Sequence, residues 1–267
     1  MDIKTLKYKL KPSERSAYYF ILDEAPYDIY KDITVSKIGG IPYWPKDKKY
    51  PMFEGNNYKM ITQLNLDDLS KKVNLKNISP YYPTTGILQF FLVEHDECWE
   101  DTLVVYHPNT EQEHFLTDEQ IKTALNDEYV GYEESFRITL KNESKELIGC
   151  CDSFYQGFLA KHIKELKDES LLEIIQWEND EIPESYTSGT KLGGYAYFTQ
   201  EDPLWNEYNQ FIDKYPDELY PLVLLFQIDS DLEDMCWGDC GVANWRIDIE
   251  DLKKLDFNNI FYSFDCH

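Results

Sequence analysis

The sequence predicts an α+β fold, with mixed or antiparallel sheets and flanking helices, built from two related halves around a shared core. Short runs of β-branched, aromatic and aliphatic residues recur along the chain and predict strands. Residues 151–178 carry apolar side chains at the three-to-four spacing of a helix. Weak internal similarity adds a third observation, and it favours a duplicated unit over two unrelated domains.

The composition is that of a folded protein. Of the 267 residues, 42% are apolar and 15% are aromatic, which is enough for a large core and excludes a disordered chain. There is no run of about 18 apolar residues, the length that a membrane span requires. The first residues mix charges instead of leading into an apolar block, which argues against a secretory signal. We therefore expect a cytoplasmic protein that does not enter a membrane.

Strands are predicted where apolar and aromatic runs lie between turn residues. These runs cover residues 16–22, 86–94, 102–107, 135–140, 220–229, 243–249 and 259–264. Several of them lack strict alternation of apolar and polar residues, which is typical of strands covered on both faces.

Helices are predicted at four places. One follows Gln63, where Asn65 or Asp67 is suited to cap its first backbone amides. The others cover residues 151–178, with a separate short helix at 169–177, then residues 203–215, and residues 251–254 after a cap at Asp248 or Glu250.

The internal similarity sets residues 36–44 against residues 190–198, at an offset of 154. Gln63 then matches Gln227 at an offset of 164. Gly86 matches Gly241 at an offset of 155. Three matches in the same order at a nearly constant offset predict a repeated unit. In each copy we expect a Gly-Gly turn leading into an aromatic strand, a second strand ending in Gln-x-Asn/Asp, and a third strand.

The predicted organisation is a single compact domain, residues 1–267. Its halves are residues 36–109 and 190–264, and the helical segment 151–178 joins them. Two units of this size do not form a solenoid, which needs three or more short repeats.

The net charge of the chain indicates which classes of macromolecule it can bind. The chain has 26 Lys and Arg against 50 Asp and Glu, a formal net charge of −24. Nucleic acid is excluded as a general partner, because affinity for it depends on basic residues that displace counterions. The same field favours a basic protein partner and speeds the encounter with it. The alternative is that the acidity only keeps the protein soluble.

Catalytic and metal-binding motifs are not found. The glycine pairs Gly39-Gly40 and Gly193-Gly194 lack the remaining residues of a phosphate-binding loop, and are interpreted as tight turns. The acidic segment 229–241 has Asp at the sixth position and Cys at the twelfth, so it fails the calcium-loop pattern. None of the five histidines lies in a nucleophile motif. We expect no catalytic residues, cofactor or metal, and favour a protein that is not an enzyme.

Several phrases resemble a known family. Lys37-Ile-Gly-Gly-Ile-Pro-Tyr-Trp-Pro45, Ile61-Thr-Gln-Leu-Asn-Leu66 and Gly86-Ile-Leu-Gln-Phe-Phe91 are followed by Leu225-Phe-Gln-Ile-Asp-Ser-Asp231 and Cys236-Trp-Gly-Asp239. Together they resemble the YwqG-like family of bacterial cytoplasmic proteins of unknown activity. The resemblance implies an α+β fold and allows an accessory or immunity-like role, but it supplies no catalytic residues. Cys236 stands where the family commonly has Met.

The leading hypothesis is a non-enzymatic protein that binds a basic partner through acidic and aromatic residues. Its candidate binding residues are Trp44, Trp237 and Asp239, and after them Gln227, Asp229 and Asp231. Alternatively, Trp44 and Trp237 are core residues of the two halves. A second hypothesis is a small-molecule-binding protein or enzyme that uses a cleft between the halves, with Asp229, Asp231 and Asp239 as its polar groups.

Overall fold

A computed structural model gives the fold. The structure describes residues 8–23, 32–95, 98–110, 135–149, 152–155, 157–158, 187–206, 211, 213–215, 220–232 and 239–266. The predicted helix 151–178 falls largely outside the described residues, as does most of the interior of the acidic segment 229–241. Among the described residues, no helix is both long enough and apolar enough to cross a membrane.

The protein is mostly β, and the predicted α+β class with flanking helices is wrong. Among the described residues, ten strands form one antiparallel sheet, and its edge strands come together so that the sheet is nearly closed and barrel-like. A separate two-stranded hairpin lies outside it. The strands are β1 (Arg15–Asp23), β2 (Lys37–Ile38), β3 (Met52–Phe53), β4 (Asn56–Asn57), β5 (Lys59–Asn65), β6 (Ile87–His95), β7 (Cys98–His107), β8 (Phe136–Glu146), β9 (Lys191–Gly193), β10 (Leu222–Asp229), β11 (Val242–Asp248) and β12 (Ile260–Asp265).

The helices among the described residues are short. Those described over their full length are α1 (Leu66–Lys72), α2 (Ile249–Lys254) and the 3-10 turns Lys11–Ser13, Leu75–Asn77 and Pro203–Asn206. Residues 8–10, 155, 157–158, 211 and 213–214 are also helical. The predicted caps are confirmed, since the side chains of Asn65 and Asp248 accept hydrogen bonds from the first turns of α1 and α2. The predicted helix 203–215 begins as the last of the 3-10 turns.

The order of strands in the large sheet is β12-β11-β10-β9-β1-β8-β2-β5-β6-β7. The two central strands, β1 and β8, each precede one half in the chain but pair with a strand of the other half, and this pairing is called the exchange of the central strands. β1, which precedes β2, pairs with β9, and β8, which precedes β9, pairs with β2. The exchange is matched in detail, because the Phe20 amide donates to the Thr190 carbonyl and the Ile138 amide donates to the Ser36 carbonyl.

The interior of the sheet is filled by apolar side chains from both halves. Phe90 packs against Phe226 and Trp245, with ring centroids 5.1 and 5.4 Å apart. The indole of Trp245 on β11 also donates to the Thr102 hydroxyl on β7 at 2.7 Å. This bond crosses the seam where the edge strands meet, so both halves contribute to a single core.

The first Gly-Gly pair follows β2 and the second begins at the last residue of β9, and neither leads into an aromatic strand as predicted. All four glycines have φ between 68° and 75°, a region that favours glycine. A Cβ on Gly194 would lie 2.1 Å from a carboxylate oxygen of Glu146. The second turn therefore needs glycine for its conformation and for its close approach to a buried charge.

Candidate functional site

The side chain of Gln227 holds the loop that surrounds the second Gly-Gly turn. It is fully buried, and its Oε1 accepts from the Tyr197 amide at 2.8 Å. Its Nε2 donates to the carbonyl oxygens of Thr187 and Gly189, at 2.9 and 2.8 Å. Gln227 thus satisfies three backbone groups that lie away from any strand partner.

Gln63 does the same in the first half. Its Oε1 accepts from the Tyr43 amide at 2.7 Å, and its Nε2 donates to the carbonyls of Ile33 and Val35, both at 3.0 Å. Each of these three partners precedes its counterpart around Gln227 by 154 residues. Gln227 and Gln63 therefore perform one structural task at matched positions.

Asp229 and Asp231 follow Gln227 at the end of β10, and the chain brings them to one loop. Asp229 is buried and accepts from the Gly189 amide at 2.6 Å. Asp231 is exposed, and one of its oxygens accepts from the amide and the hydroxyl of Thr190 at 2.9 and 2.8 Å. The Asp231 carboxylate is consequently held in one orientation while it faces solvent.

A buried ion pair lies beside these two carboxylates. Lys191 on β9 donates to both oxygens of Glu146 at 2.7 and 2.8 Å, and both side chains are at most 1% exposed. Glu146 also accepts from the Tyr19 hydroxyl at 2.5 Å and from the Tyr195 amide at 2.8 Å. The Glu146 carboxylate therefore accepts four hydrogen bonds from three donor groups, which is the condition under which a buried pair is tolerated.

Burial shifts the pKa values of Asp229, Lys191 and Tyr19. Burial raises the pKa of Asp229, and the charge of Asp231 adds to the shift while the Gly189 amide opposes it. Burial lowers the pKa of Lys191, although the Glu146 carboxylate acts in the opposite direction. The pKa of Tyr19 is raised by burial and then by Glu146. Perturbed pKa values beside an exposed carboxylate mark a candidate site.

Of the two tryptophans of the predicted site, the structure describes Trp44, which is not brought together with these carboxylates. Trp44 is buried at 6% exposure, packs edge-on against Tyr50 and Phe91, and donates from its indole to the Lys48 carbonyl. It lies in the core of the first half, as the alternative interpretation expected. Trp237 lies outside the described residues.

Asp239, the last of the predicted site residues, is exposed at the far end of the acidic segment. Asp231 and Asp239, the described carboxylates on either side of the undescribed interior of that segment, therefore both face solvent. In the described part of the chain, neither carboxylate forms a salt bridge. Also within the described residues, no group of three His, Cys, Asp or Glu has a metal-binding arrangement.

A second polar network lies on the outer face of β11. Arg246 donates to both oxygens of Asp202, at 3.0 and 2.7 Å, and Asp202 also accepts from Ser153. Nearby, Asp152 accepts from the Tyr220 hydroxyl at 2.7 Å. Burial, followed by the neighbouring Asp202 charge, raises the pKa of Asp152 to about 7. This network joins the β11 face to the segment around residue 202.

A cleft of about 500 Å³ opens where the two halves meet. Arg15 and Lys145 from the central strands line it together with Glu143, with Asn77 from the first half and Val223 from the second. Asp229, Asp231 and Asp239 do not line it. The polar groups that line the cleft between the halves are therefore not the three Asp residues that were predicted to line it.

The sequence matches the family described as a domain of unknown function, DUF1963, over residues 36–266. That range covers most of the 267-residue chain. The chain belongs to this family. DUF1963 is uncharacterised, so the predicted membership of an uncharacterised family is confirmed, while the YwqG-like name and a bacterial origin stay predictions. No curated protein matches the sequence.

Sequence reasoning missed Lys191, Glu146 and Tyr19. One signal was present, because a lysine lies two residues before each Gly-Gly pair, at Lys37 and Lys191, inside an otherwise apolar strand. A lysine at such a position needs a buried partner. The identity of that partner was not readable, since Glu146 precedes Lys191 by 45 residues and is brought to it only by the exchange of β8.

Proposed function

We propose that this DUF1963 protein is a cytoplasmic, non-enzymatic interaction module that binds a basic protein through its acidic segment, residues 229–239. The observation that carries the proposal is the exposure of Asp231 and Asp239, since Asp229 at the start of the segment is buried. Asp231 and Asp239 are exposed, and Asp231 is fixed by Thr190. Carboxylates held in place on a protein of net charge −24 steer and bind cationic surfaces.

The proposal treats the two halves as copies of one unit, of which the second has been specialised. The matched bonds of Gln63 and Gln227 support this duplication. At the position of Asp229 the first half has Asn65, which caps α1. The second half has instead the acidic segment, so carboxylates have accumulated where a helix begins in the first half. An accessory or immunity-like role against a basic protein is consistent with that charge.

The test compares two variants with equal loss of charge. Asp231→Asn with Asp239→Asn neutralises the acidic segment, and Asp47→Asn with Glu54→Gln neutralises two exposed carboxylates of the first half. Partners recovered by affinity purification from the native host, at low and at physiological salt, are purified and their binding is measured directly. We expect the first variant to bind at least about tenfold more weakly than the second. Equal weakening by both variants, or no partner at either salt concentration, contradicts the proposal.

The cleft at the junction of the halves favours a second candidate function, the binding of a small polar molecule. Its lining combines Arg15, Lys145 and Glu143 with Val223, and ligand sites commonly place a few polar groups among apolar ones. A thermal-shift screen of charged metabolites against the wild type and Lys145→Met tests it. A ligand that stabilises only the wild type supports this function, and a screen without any such ligand counts against it.

A further inference from the structure

The outer face of the first half contains a histidine that completes a hydrogen-bonded chain. His107 lies on β7, and its Nε2 is 3.0 Å from Oε1 of Gln89 on β6. Gln89 also donates to the Tyr43 carbonyl at 2.8 Å. Both side chains are nearly fully buried. Through this contact the buried amide oxygen of Gln89 faces a ring nitrogen.

The second half has different residues at the same positions. Asn244 on β11 replaces Gln89, and it donates to the Tyr197 carbonyl at 2.7 Å, as Gln89 donates to Tyr43. Asp265 on β12 replaces His107, because Asp265 pairs with Val242 as His107 pairs with Ile87. A ring that can donate a hydrogen bond has been replaced by a carboxylate, and the amide oxygen beside it has lost its donor.

Four oxygen atoms on this face are buried and have no hydrogen-bond partner among the described residues. They are Oδ1 of Asn244, Oδ1 of Asp265, Oγ of Ser263 and Oγ1 of Thr199. Asn244 and Ser263 are directly opposite each other on β11 and β12, and Asp265 is the next residue along on the same face. The segment that contains Thr199 lies against these strands, because the Gln200 amide donates to Asp265 at 2.9 Å and the Tyr197 carbonyl accepts from Asn244 at 2.7 Å.

The amide oxygen of Asn244 and the carboxylate oxygen of Asp265 can only accept, and the hydroxyls of Ser263 and Thr199 do not donate to them. Buried acceptors without donors are costly, so this group lacks a cation or a further donor. Arg246 on the same face does not supply it. Both of its terminal nitrogens are bonded to Asp202, and its Nε is buried but forms no hydrogen bond to any of the four oxygens. Carboxylate, amide and hydroxyl oxygens are the ligands that hard metal ions prefer. Asp265 contributes one negative charge, and the other three oxygens are neutral.

We propose that Asp265, Asn244, Ser263 and Thr199 bind one hard metal cation through oxygen, at the position that His107 and Gln89 close internally in the first half. The cation takes the place of the missing donor and ties β11 and β12 to the segment around Thr199. None of these four residues belongs to the acidic segment, and the inference does not depend on the proposed function.

The experiment uses the full chain, freed of metal with a chelator and dialysed into a tetramethylammonium buffer. Calcium, magnesium, sodium and potassium chlorides are added at constant ionic strength, because a chain of charge −24 is stabilised by any cation through screening. Thermal unfolding is recorded, and calorimetric titration gives the number of ions bound. We expect at least one of these cations to raise the unfolding temperature beyond tetramethylammonium, with one ion bound per chain.

Three variants decide the location of the ion. Asp265→Asn is expected to lose the bound ion, whereas Glu201→Gln, which removes an exposed carboxylate in the adjacent segment, keeps it. Asn244→Gln with Asp265→His installs the pair found in the first half, and is expected to fold without responding to the cation. If no cation exceeds tetramethylammonium, or if Asp265→Asn and Glu201→Gln bind the ion equally, the site does not exist.

Discussion

Lys37 and Lys191 occupy the same position in the two halves, yet their electrostatic surroundings differ. Both are fully buried on short strands ahead of a Gly-Gly turn. Lys37 donates to the backbone carbonyl of Asp32 at 2.6 Å, whereas Lys191 binds both oxygens of the Glu146 carboxylate. The backbone frame held by Gln63 and Gln227 is common to both. The same backbone frame therefore accepts a buried lysine that is bound either to a backbone carbonyl or to a buried carboxylate.

The largest expected effect comes from breaking the ion pair. Lys191→Met leaves the Glu146 carboxylate buried without its counter-charge, and we expect the free energy of unfolding to fall by about 3–5 kcal/mol. Lys37→Met is the matched control, and is expected to leave this free energy unchanged or to raise it. Urea denaturation at pH 8 measures both.

A double variant checks the cause. Adding Glu146→Gln to Lys191→Met removes the stranded charge but keeps an acceptor for the Tyr195 amide, and should recover part of the loss. If Lys37→Met is as destabilising as Lys191→Met, the two lysines are equivalent and the comparison fails.

The next largest loss of stability is expected from replacing Gln63 or Gln227, whose side chains hold the backbone frame. Gln227→Met and Gln63→Met keep the side-chain volume but leave three buried backbone groups without their partners. We expect each to lower the free energy of unfolding by about 3 kcal/mol. Similar losses from the two variants, measured by urea denaturation, would sharpen the view that the frame is shared. A loss confined to one half would refute it.

The third effect is the pH dependence of stability. Burial lowers the pKa of Lys37 to about 7, although the Asp32 charge opposes the shift. Between pH 7 and its ordinary value near 10.5, the unfolded chain binds this proton and the folded chain does not. Stability therefore rises with pH across this window, by at most about 1.4 kcal/mol per pH unit. Lys37→Met should flatten this rise, as seen by denaturation at pH 7, 8 and 9. An unchanged slope contradicts it.

The smallest loss of stability is expected from removing the hydroxyls of Ser36 and Thr190, the residues directly before Lys37 and Lys191. The Ser36 hydroxyl accepts from the Asn65 amide at 2.9 Å, and the Thr190 hydroxyl accepts from the Asp229 amide at 3.0 Å. Ser36→Ala and Thr190→Val should each cost about 1 kcal/mol in thermal or urea unfolding. A much larger loss for Thr190→Val would show that its bond to Asp231 dominates.

Local features of the fold were predictable from the sequence. The strands ending at Gln63-Leu-Asn65 and Gln227-Ile-Asp229, and the caps of α1 and α2, follow from apolar runs and from side chains that bind nearby amides. The strands β2 and β9 were missed, because two or three residues are too few for a pattern.

Features that depend on distant pairing were not predictable. The sequence gives no register between β1 and β9 or between β8 and β2, so it could not show one nearly closed sheet in place of an α+β arrangement. The same pairing brings Glu146 to Lys191 and Asp265 into register with Val242. The candidate carboxylates were found, but their division into a buried Asp229 and exposed Asp231 and Asp239 depends on packing.

The exchange of the central strands has a consequence for how the protein is made. β1 ends at residue 23, but its partner β9 ends at residue 193. At about 5–20 residues per second, the ribosome delivers that partner about 10–30 s later. Throughout this interval an edge of β1 has no strand to pair with, and such edges recruit other chains. The nascent protein therefore completes its sheet only after β12, which ends at residue 265, has been synthesised.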